Sequence, residues 1–249
     1  MSQSPEVLIL TPVKDATAHL DTYVANLARL TYPRACLGLG LLESDSRDDT
    51  FGELERRRPA LEPLFASVGL WRKDFGYRLP EHLPRWSPQL QMVRRTILAR
   101  SRNHLLFRAL GNARWVLWLD VDVIEYPPDI IESLLATRKS IVHPNCVLDP
   151  GGPSFDHNAW RGQDHTLLSE LRGEGDLVEL DSVGGTMLLI RADLHRDGLI
   201  FPPFGYGRQV HPVPPNTWTF ETEGLALMAR DMGHRCWGLP NLEIRHASG

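Results

Sequence analysis

Cysteine is scarce in this 249-residue chain: only Cys36, Cys146 and Cys236 occur, an odd number with no CxxC spacing. That excludes a disulfide framework or a zinc-thiolate site as the organising device, and makes a reduced, cytoplasmic setting the expectation. Long apolar runs are missing too. The first, Val7–Leu10, is too short to span a membrane, and no basic segment precedes it as in a secretory leader, so a chain without a transmembrane segment is expected. Net charge is −4, so no global positive field points to nucleic acid or an anionic membrane. No Gly/Ser linker, low-complexity tract or repeat marks a domain boundary. One domain over 1–249 is expected, with a nucleotide-binding half to about residue 125 and an acceptor-binding half from about 126.

What is present alternates. Val7–Leu10 and 37–42 are short buried-strand patterns, and 17–30 carries Leu20, Val24, Leu27 and Leu30 at helical spacing. Asp48 or Asp49 is placed to cap a helix after 37–42. Residues 71–88, with three prolines, are expected as loop, and 89–110 as a helix with Leu90, Val93, Ile97, Leu105 and Leu106 on its apolar face. Strands are expected at 115–119, 140–148, 187–194 and 236–246, and helices at 129–138, after Pro128, and 220–233, closed by Gly233. The stretches 149–176 and 201–216 are expected as loops. This order predicts an α/β fold, a Rossmann-like, mostly parallel sheet flanked by helices. Ligands of such sheets bind at the carboxyl ends of the strands, and Asp15, Asp45, Asp120 and Asp122 all follow predicted strands.

The sharpest feature is "WVLWLDVDVIEYPPDII", in which Asp120 and Asp122 end the most apolar strand pattern of the chain. In an extended D-x-D both carboxylates face one side and repel each other unless a cation intervenes. Mn²⁺ or Mg²⁺ accepts such carboxylates and completes its shell with phosphate oxygens. The bland alternative is a strand end neutralised by arginines. Haloacid-dehalogenase-type phosphatases use the same letters, but on a first strand with a downstream lysine and acidic pair. Here Lys139 is the only later lysine and no GDxxxD follows. A nucleotidyltransferase is disfavoured because the loop after the first strand, "TPVKDA", has no glycine. In "ILARSRNHLL", Arg100 and Asn103 share a helix edge suited to a diphosphate, whereas Arg94, Arg95 and Arg108 fit a solvated face. His246 is a candidate metal ligand at the chain end. A non-catalytic nucleotide-sugar-binding subunit is the rival from another class.

The ordered segments "VLILTPVKDA", "ESDSRDDTF", "LARSRNHLL", "WVLWLDVDVIEYPPDII", "VHPNC", "VGGTMLLIRADL", "FETEGLALMARDMG" and "GLPNLEIRH" resemble glycosyltransferase family 62, the fungal Golgi α-1,6-mannosyltransferases. The resemblance runs from about Val7 to His246. It implies a GT-A fold, a GDP-mannose donor, a Mn²⁺-type ion and a glycan or other hydroxyl acceptor, with retention at the sugar. It leaves oligomerisation open. By matching motif it implies Thr11, Pro12 and Asp45 around the nucleoside and Asp122 and His246 on the metal. It sets Asp120 by the ribose or metal, and Arg100 and Asn103 near the donor. Glu221 and Glu223 are implied beside the reacting sugar, with Asp120 and Asp122, and Asp181 and Gly185 toward the acceptor.

Overall fold

The computed structural model describes residues 6–78, 88–207 and 219–248, with side chains from 90 onward in the second segment. Its first half runs β1 (Val7–Val13), α1 (Leu20–Ala28), β2 (Leu37–Glu43), α2 (Thr50–Leu61), β3 (Ser67–Arg72), α3 (Pro88–Ala109), β4 (Trp115–Leu119) and β5 (Val123–Glu125). There follow α4 (Ile130–Ala136), β6 (Ile141–Val147), β7 (Trp160–Arg161), β8 (Thr166–Leu167), β9 (Val178–Leu180), β10 (Met187–Arg191), α5 (Ala192–Arg196), α6 (Glu221–Asp231) and β11 (Cys236–His246). Nine strands form one sheet in the order β3-β2-β1-β4-β10-β6-β11-β5, with β9 also on β11, while β7 and β8 pair separately. The β3-β2-β1-β4 half is all parallel. In the other half β10 runs antiparallel to β4 and β6, and β11 is parallel to β6 but antiparallel to β5 and β9.

Strand side chains alternate between two cores, as a period of two requires. Val7, Ile9, Leu117 and Leu119 face α1, α2 and α4 through Leu20, Tyr23, Leu54, Ile130 and Leu134. Leu8, Leu10, Val116 and Trp118 face α3, α5 and α6 through Ala99, Leu105, Leu194 and Leu225. The continuous apolar runs of β1, β2 and β4 thus have one cause: both faces of the sheet are covered. Gly40 lets α3 lie close on β2. A Cβ there would come within 2.7 Å of Leu10 Cδ2 and 3.2 Å of Ala109 Cβ.

Several local expectations change. β1 continues through Pro12, because β4 pairs only with Val7–Leu10 and leaves one edge beyond Leu10 without a partner. The segment 67–72, overlapping the loop expected from residue 71, is the edge strand β3. Asp120 and Asp122 stand in a turn rather than an extended strand: the Val123 amide donates to the Asp120 carbonyl at 3.3 Å. The strand expected at 187–194 stops at Arg191, and Ala192–Arg196 is helical. The polar stretch 149–176 holds the β7–β8 hairpin and a 3-10 turn at Leu168–Glu174. Residues 79–87 and 208–218, most of the two proline-rich stretches, lie outside the described residues. Among the described residues, no helix is long and apolar enough to cross a membrane.

Candidate active site

A cleft of about 630 Å³ opens at the carboxyl ends of the parallel strands. Pro12 near the end of β1, Lys14 and Asp15 after it, Ser44 and Arg47 after β2, and Asp120 and Asp122 after β4 line it, with Tyr77 and, from α3, Arg94 and Ser101. The sheet thus gathers three of the four expected strand-end aspartates on one edge. Asp45 is adjacent but turned away. Its carboxylate accepts the amides of Phe75 and Gly76 at 2.9 Å each and of Tyr77 at 3.2 Å, fixing that turn. Asp15, Asp45 and Glu221 all hold φ between 47° and 58°, a left-handed backbone uncommon for non-glycine residues. Thr11 stands behind the wall, bonded to the Tyr23 hydroxyl at 2.6 Å.

Asp122 and His246, more than a hundred residues apart, meet with Oδ1 3.1 Å from Nε2. His246 Nδ1 donates to the Ala247 carbonyl at 2.7 Å, which leaves Nε2 facing the carboxylate. Burial lowers the imidazole pKa, but the hydrogen bond and charge of Asp122 outweigh it and the net shift is upward. Phe155 covers the ring, centroids 4.2 Å apart. Asp120 is pushed up to about 7 by burial, against the pull of Arg102 and with a further push from Asp122. Among the described residues, no group of three His, Cys, Asp or Glu side chains is arranged to hold a metal ion.

Behind the cleft wall lies a buried ionic network that the sequence did not disclose. Arg102 bonds Asp120 at 3.2 Å, the Gly185 carbonyl at 3.1 Å and Glu221. Arg95 reaches Glu221 Oε2 at 3.1 Å and lies 2.6 Å from Glu223 Oε2. Burial pulls the Glu221 pKa up, but Arg102 and Arg95 win and hold it below the ordinary value. Glu223 is pushed up to about 7 by burial, with Glu221 and Asp156 adding to the push and Arg95 opposing it. Asp156 accepts the Gly185 amide at 3.0 Å and the Thr186 hydroxyl at 3.1 Å, tying the 149–176 segment to the same spot.

The network relocates several expected site residues. Glu221 and Glu223, expected beside the reacting sugar, are 2% and 5% exposed and engaged by arginines outside the cleft lining. Arg100 is exposed, with its guanidinium over the Phe75 ring. Both ends of the Asn103 amide are bonded to the Phe201 backbone, at 2.7 and 3.0 Å. Arg95, expected in solvent, is buried, and Arg94 lines the cleft. Val93, expected on the apolar face, is 51% exposed. Gly185 packs under Arg102, and Asp181 is exposed and accepts the Gly162 amide at 2.7 Å. A signal for the network did exist. Residues 95, 99, 102 and 106 share one helix stripe, and two of them are arginines where core residues belong.

The Anp1 family model matches residues 1–173 and 165–205. The chain belongs to the Anp1 family. This Anp1-family chain is 30% identical to the "Mannan polymerase II complex anp1 subunit" of Schizosaccharomyces pombe, with 98% of the chain aligned. It spans 64% of that relative's length. Its fold is similar to the "Mannosyltransferase PcManGT from Pyrobaculum calidifontis in complex with GDP-Man and Mn2+" (TM-score 0.56, 16% identity, covering 99% of this chain and 58% of that one). It is also similar to S. aureus TarS in complex with UDP-GlcNAc (TM-score 0.58, 13% identity, 98% and 59%). The fold is therefore α/β of the GT-A type.

Proposed function

We propose that this chain is a metal-dependent glycosyltransferase. It moves a sugar, mannose from GDP-mannose, to a hydroxyl of a glycan or similar acceptor, with retention at the sugar. The carrying observation is the lining of the cleft, where Asp120 and Asp122 share one cavity with Lys14, Arg47 and Arg94. Carboxylates suit a divalent cation, and lysine and arginines suit the diphosphate it accompanies. A relative that is a mannan polymerase subunit supports mannose as the sugar, and a structural neighbour in complex with GDP-Man and Mn²⁺ supports the donor and ion.

The chemistry of the Asp122–His246 pair suits such an ion. With Nδ1 bonded to Ala247, neutral His246 turns its Nε2 lone pair toward the Asp122 carboxylate, an arrangement that a proton or a cation relieves. One nitrogen and carboxylate oxygens favour Mn²⁺ over Mg²⁺. Asp122 and His246 would hold the ion, with Asp120 beside them. When bound, it supplies Lewis-acid stabilisation of the diphosphate leaving group. The chain's own groups do the rest. Arg102 orients Asp120, and Lys14, Arg47 and Arg94 offset phosphate charge. Asp181 and Gly185 belong to acceptor recognition in this reading, Gly185 acting through the arginine packed on it.

A second reading, a non-catalytic nucleotide-sugar-binding subunit, is favoured by the fungal relative, which is a complex subunit. Incubating the purified chain with GDP-mannose and Mn²⁺ separates the two. Release of GDP that EDTA stops supports the enzyme. Tight GDP binding without turnover, across a panel of mannose-containing acceptors, overturns it in favour of the subunit.

A further inference from the structure

Tyr77 carries an unexplained feature. It lines the cleft and is 8% exposed, and among the described residues its phenol oxygen is buried without a hydrogen-bond partner. Buried polar groups are rarely left unpaired, because each then loses its water without recompense. The ring is also held in place. Three consecutive backbone amides, of Phe75, Gly76 and Tyr77, converge on the Asp45 carboxylate. The Asp45 amide in turn donates to Asp74 at 2.9 Å, and Lys14 bonds the Asp45 carbonyl. Such a clamp is more than a surface turn needs, and it fixes one cleft-lining side chain.

Sheet order says which part of a ligand Tyr77 meets. Its anchor, Asp45, follows β2, whereas Asp120 and Asp122 follow β4, and β1 lies between. Two strand spacings separate these ends by about 10 Å. In a nucleotide sugar whose diphosphate lies at the acidic end, the nucleoside is what extends that far. We propose that Tyr77 is a nucleoside-binding residue, its phenol hydrogen-bonding the base or ribose of the donor and its ring packing on it. Asp45 is its positioning residue. This rests on the donor reading above and extends it to a residue outside the segments that carried the family resemblance.

The test measures binding of GDP, UDP and inorganic pyrophosphate, each with Mn²⁺, to the full chain and to Tyr77→Phe and Tyr77→Ala. Melting curves confirm that each variant is folded. Tyr77→Phe removes only the oxygen. It is expected to weaken the tighter of GDP and UDP by about tenfold, the scale of one net hydrogen bond. Tyr77→Ala is expected to weaken it further, and pyrophosphate affinity to hold in both variants. Unchanged nucleotide binding in Tyr77→Phe overturns the proposal. So does an equal loss for pyrophosphate, which would put Tyr77 at the phosphate end. Failure of the unmodified chain to bind either nucleotide overturns the donor reading itself, and the Tyr77 assignment with it.

Discussion

The Asp122–His246 contact joins a turn to the end of β11, beside a bond from the Ala247 amide to the Asp122 carbonyl at 2.9 Å, and the Asp122 side chain is not part of either apolar core. Asp122→Ala is expected to cut sugar transfer by at least about a hundredfold while leaving the melting temperature within a few degrees. Retained transfer with saturating Mn²⁺ would count against its role. His246→Ala is expected to weaken Mn²⁺-dependent GDP binding and narrow the gap between Mn²⁺ and Mg²⁺, because the nitrogen donor is what distinguishes them. His195 illustrates the opposite case, a histidine buried for structure. Its Nδ1 donates to the Leu199 carbonyl at 2.6 Å, Trp118 Nε1 approaches its Nε2 at 3.5 Å, and burial lowers its pKa to about 4. The unfolded chain therefore binds a proton that the folded chain refuses between about pH 6.5 and 4. Stability is full above that window and falls as pH drops through it, by about 2 kcal/mol at pH 5 from this group. Urea unfolding at pH 7.5 and pH 5 checks this: His195→Gln is expected to be less stable at pH 7.5 yet to lose less on acidification.

α3 is the element on which the site depends, because its buried stripe combines core and charge. Arg95 and Arg102 sit one turn to either side of Ala99, and both converge on Glu221 at the start of α6. Removing that carboxylate leaves two buried guanidinium groups short of a partner. Glu221→Ala is expected to destabilise the chain by about 3–5 kcal/mol, a fall in melting temperature on the order of 10 °C. Denaturant unfolding measures the first figure and a thermal melt the second. The segment before β10 makes its own demand. A Cβ on Gly185 would lie 2.3 Å from Arg102 Nη2, so Gly185→Ala must displace the guanidinium that orients Asp120. Its transfer rate is expected to fall more steeply than its stability, which drops by about 1–3 kcal/mol. Equal losses in both would show that the glycine serves packing alone.

For the whole molecule, the strand-end cleft lies between elements far apart along the chain. Ligand binding there should therefore stabilise the folded state globally. GDP with Mn²⁺ at about one hundred times the dissociation constant is expected to add about 2.7 kcal/mol, read as a rise in melting temperature that EDTA removes. UDP at the same concentration is expected to give a smaller rise. A melt unchanged by either nucleotide would contradict a nucleotide site in the cleft. The same coupling explains why β11, the last strand, matters so much. It runs beside β6 for most of its length and ends at His246, beside the acidic turn.

The residues alone determined the α/β class, the apolar strands β1, β2 and β4, and the gathering of Asp15, Asp120 and Asp122 at one edge. Each follows from local periodicity and from the rule that parallel strands share a carboxyl end. The family resemblance added the pairing of Asp122 with His246, which no spacing rule could give. Tertiary structure decided what local pattern cannot carry. β3 was hidden because an edge strand with half-buried faces lacks a continuous apolar signature. Arg95 looked like part of a solvated face, and the stripe that Arg95 and Arg102 share with Ala99 and Leu106 did not by itself outweigh arginine's usual exposure. Only the arrival of Glu221, Glu223 and Asp120 from distant elements makes their burial tolerable. Asn103, Asp45 and Thr11 carry polar groups that the family resemblance sends toward the donor. The fold instead gives each a nearer partner: the Phe201 backbone, the 75–77 turn and Tyr23. A side chain's chemistry is written in the chain, but whether it meets a ligand or a neighbour depends on which other elements the fold brings within about 3 Å of it.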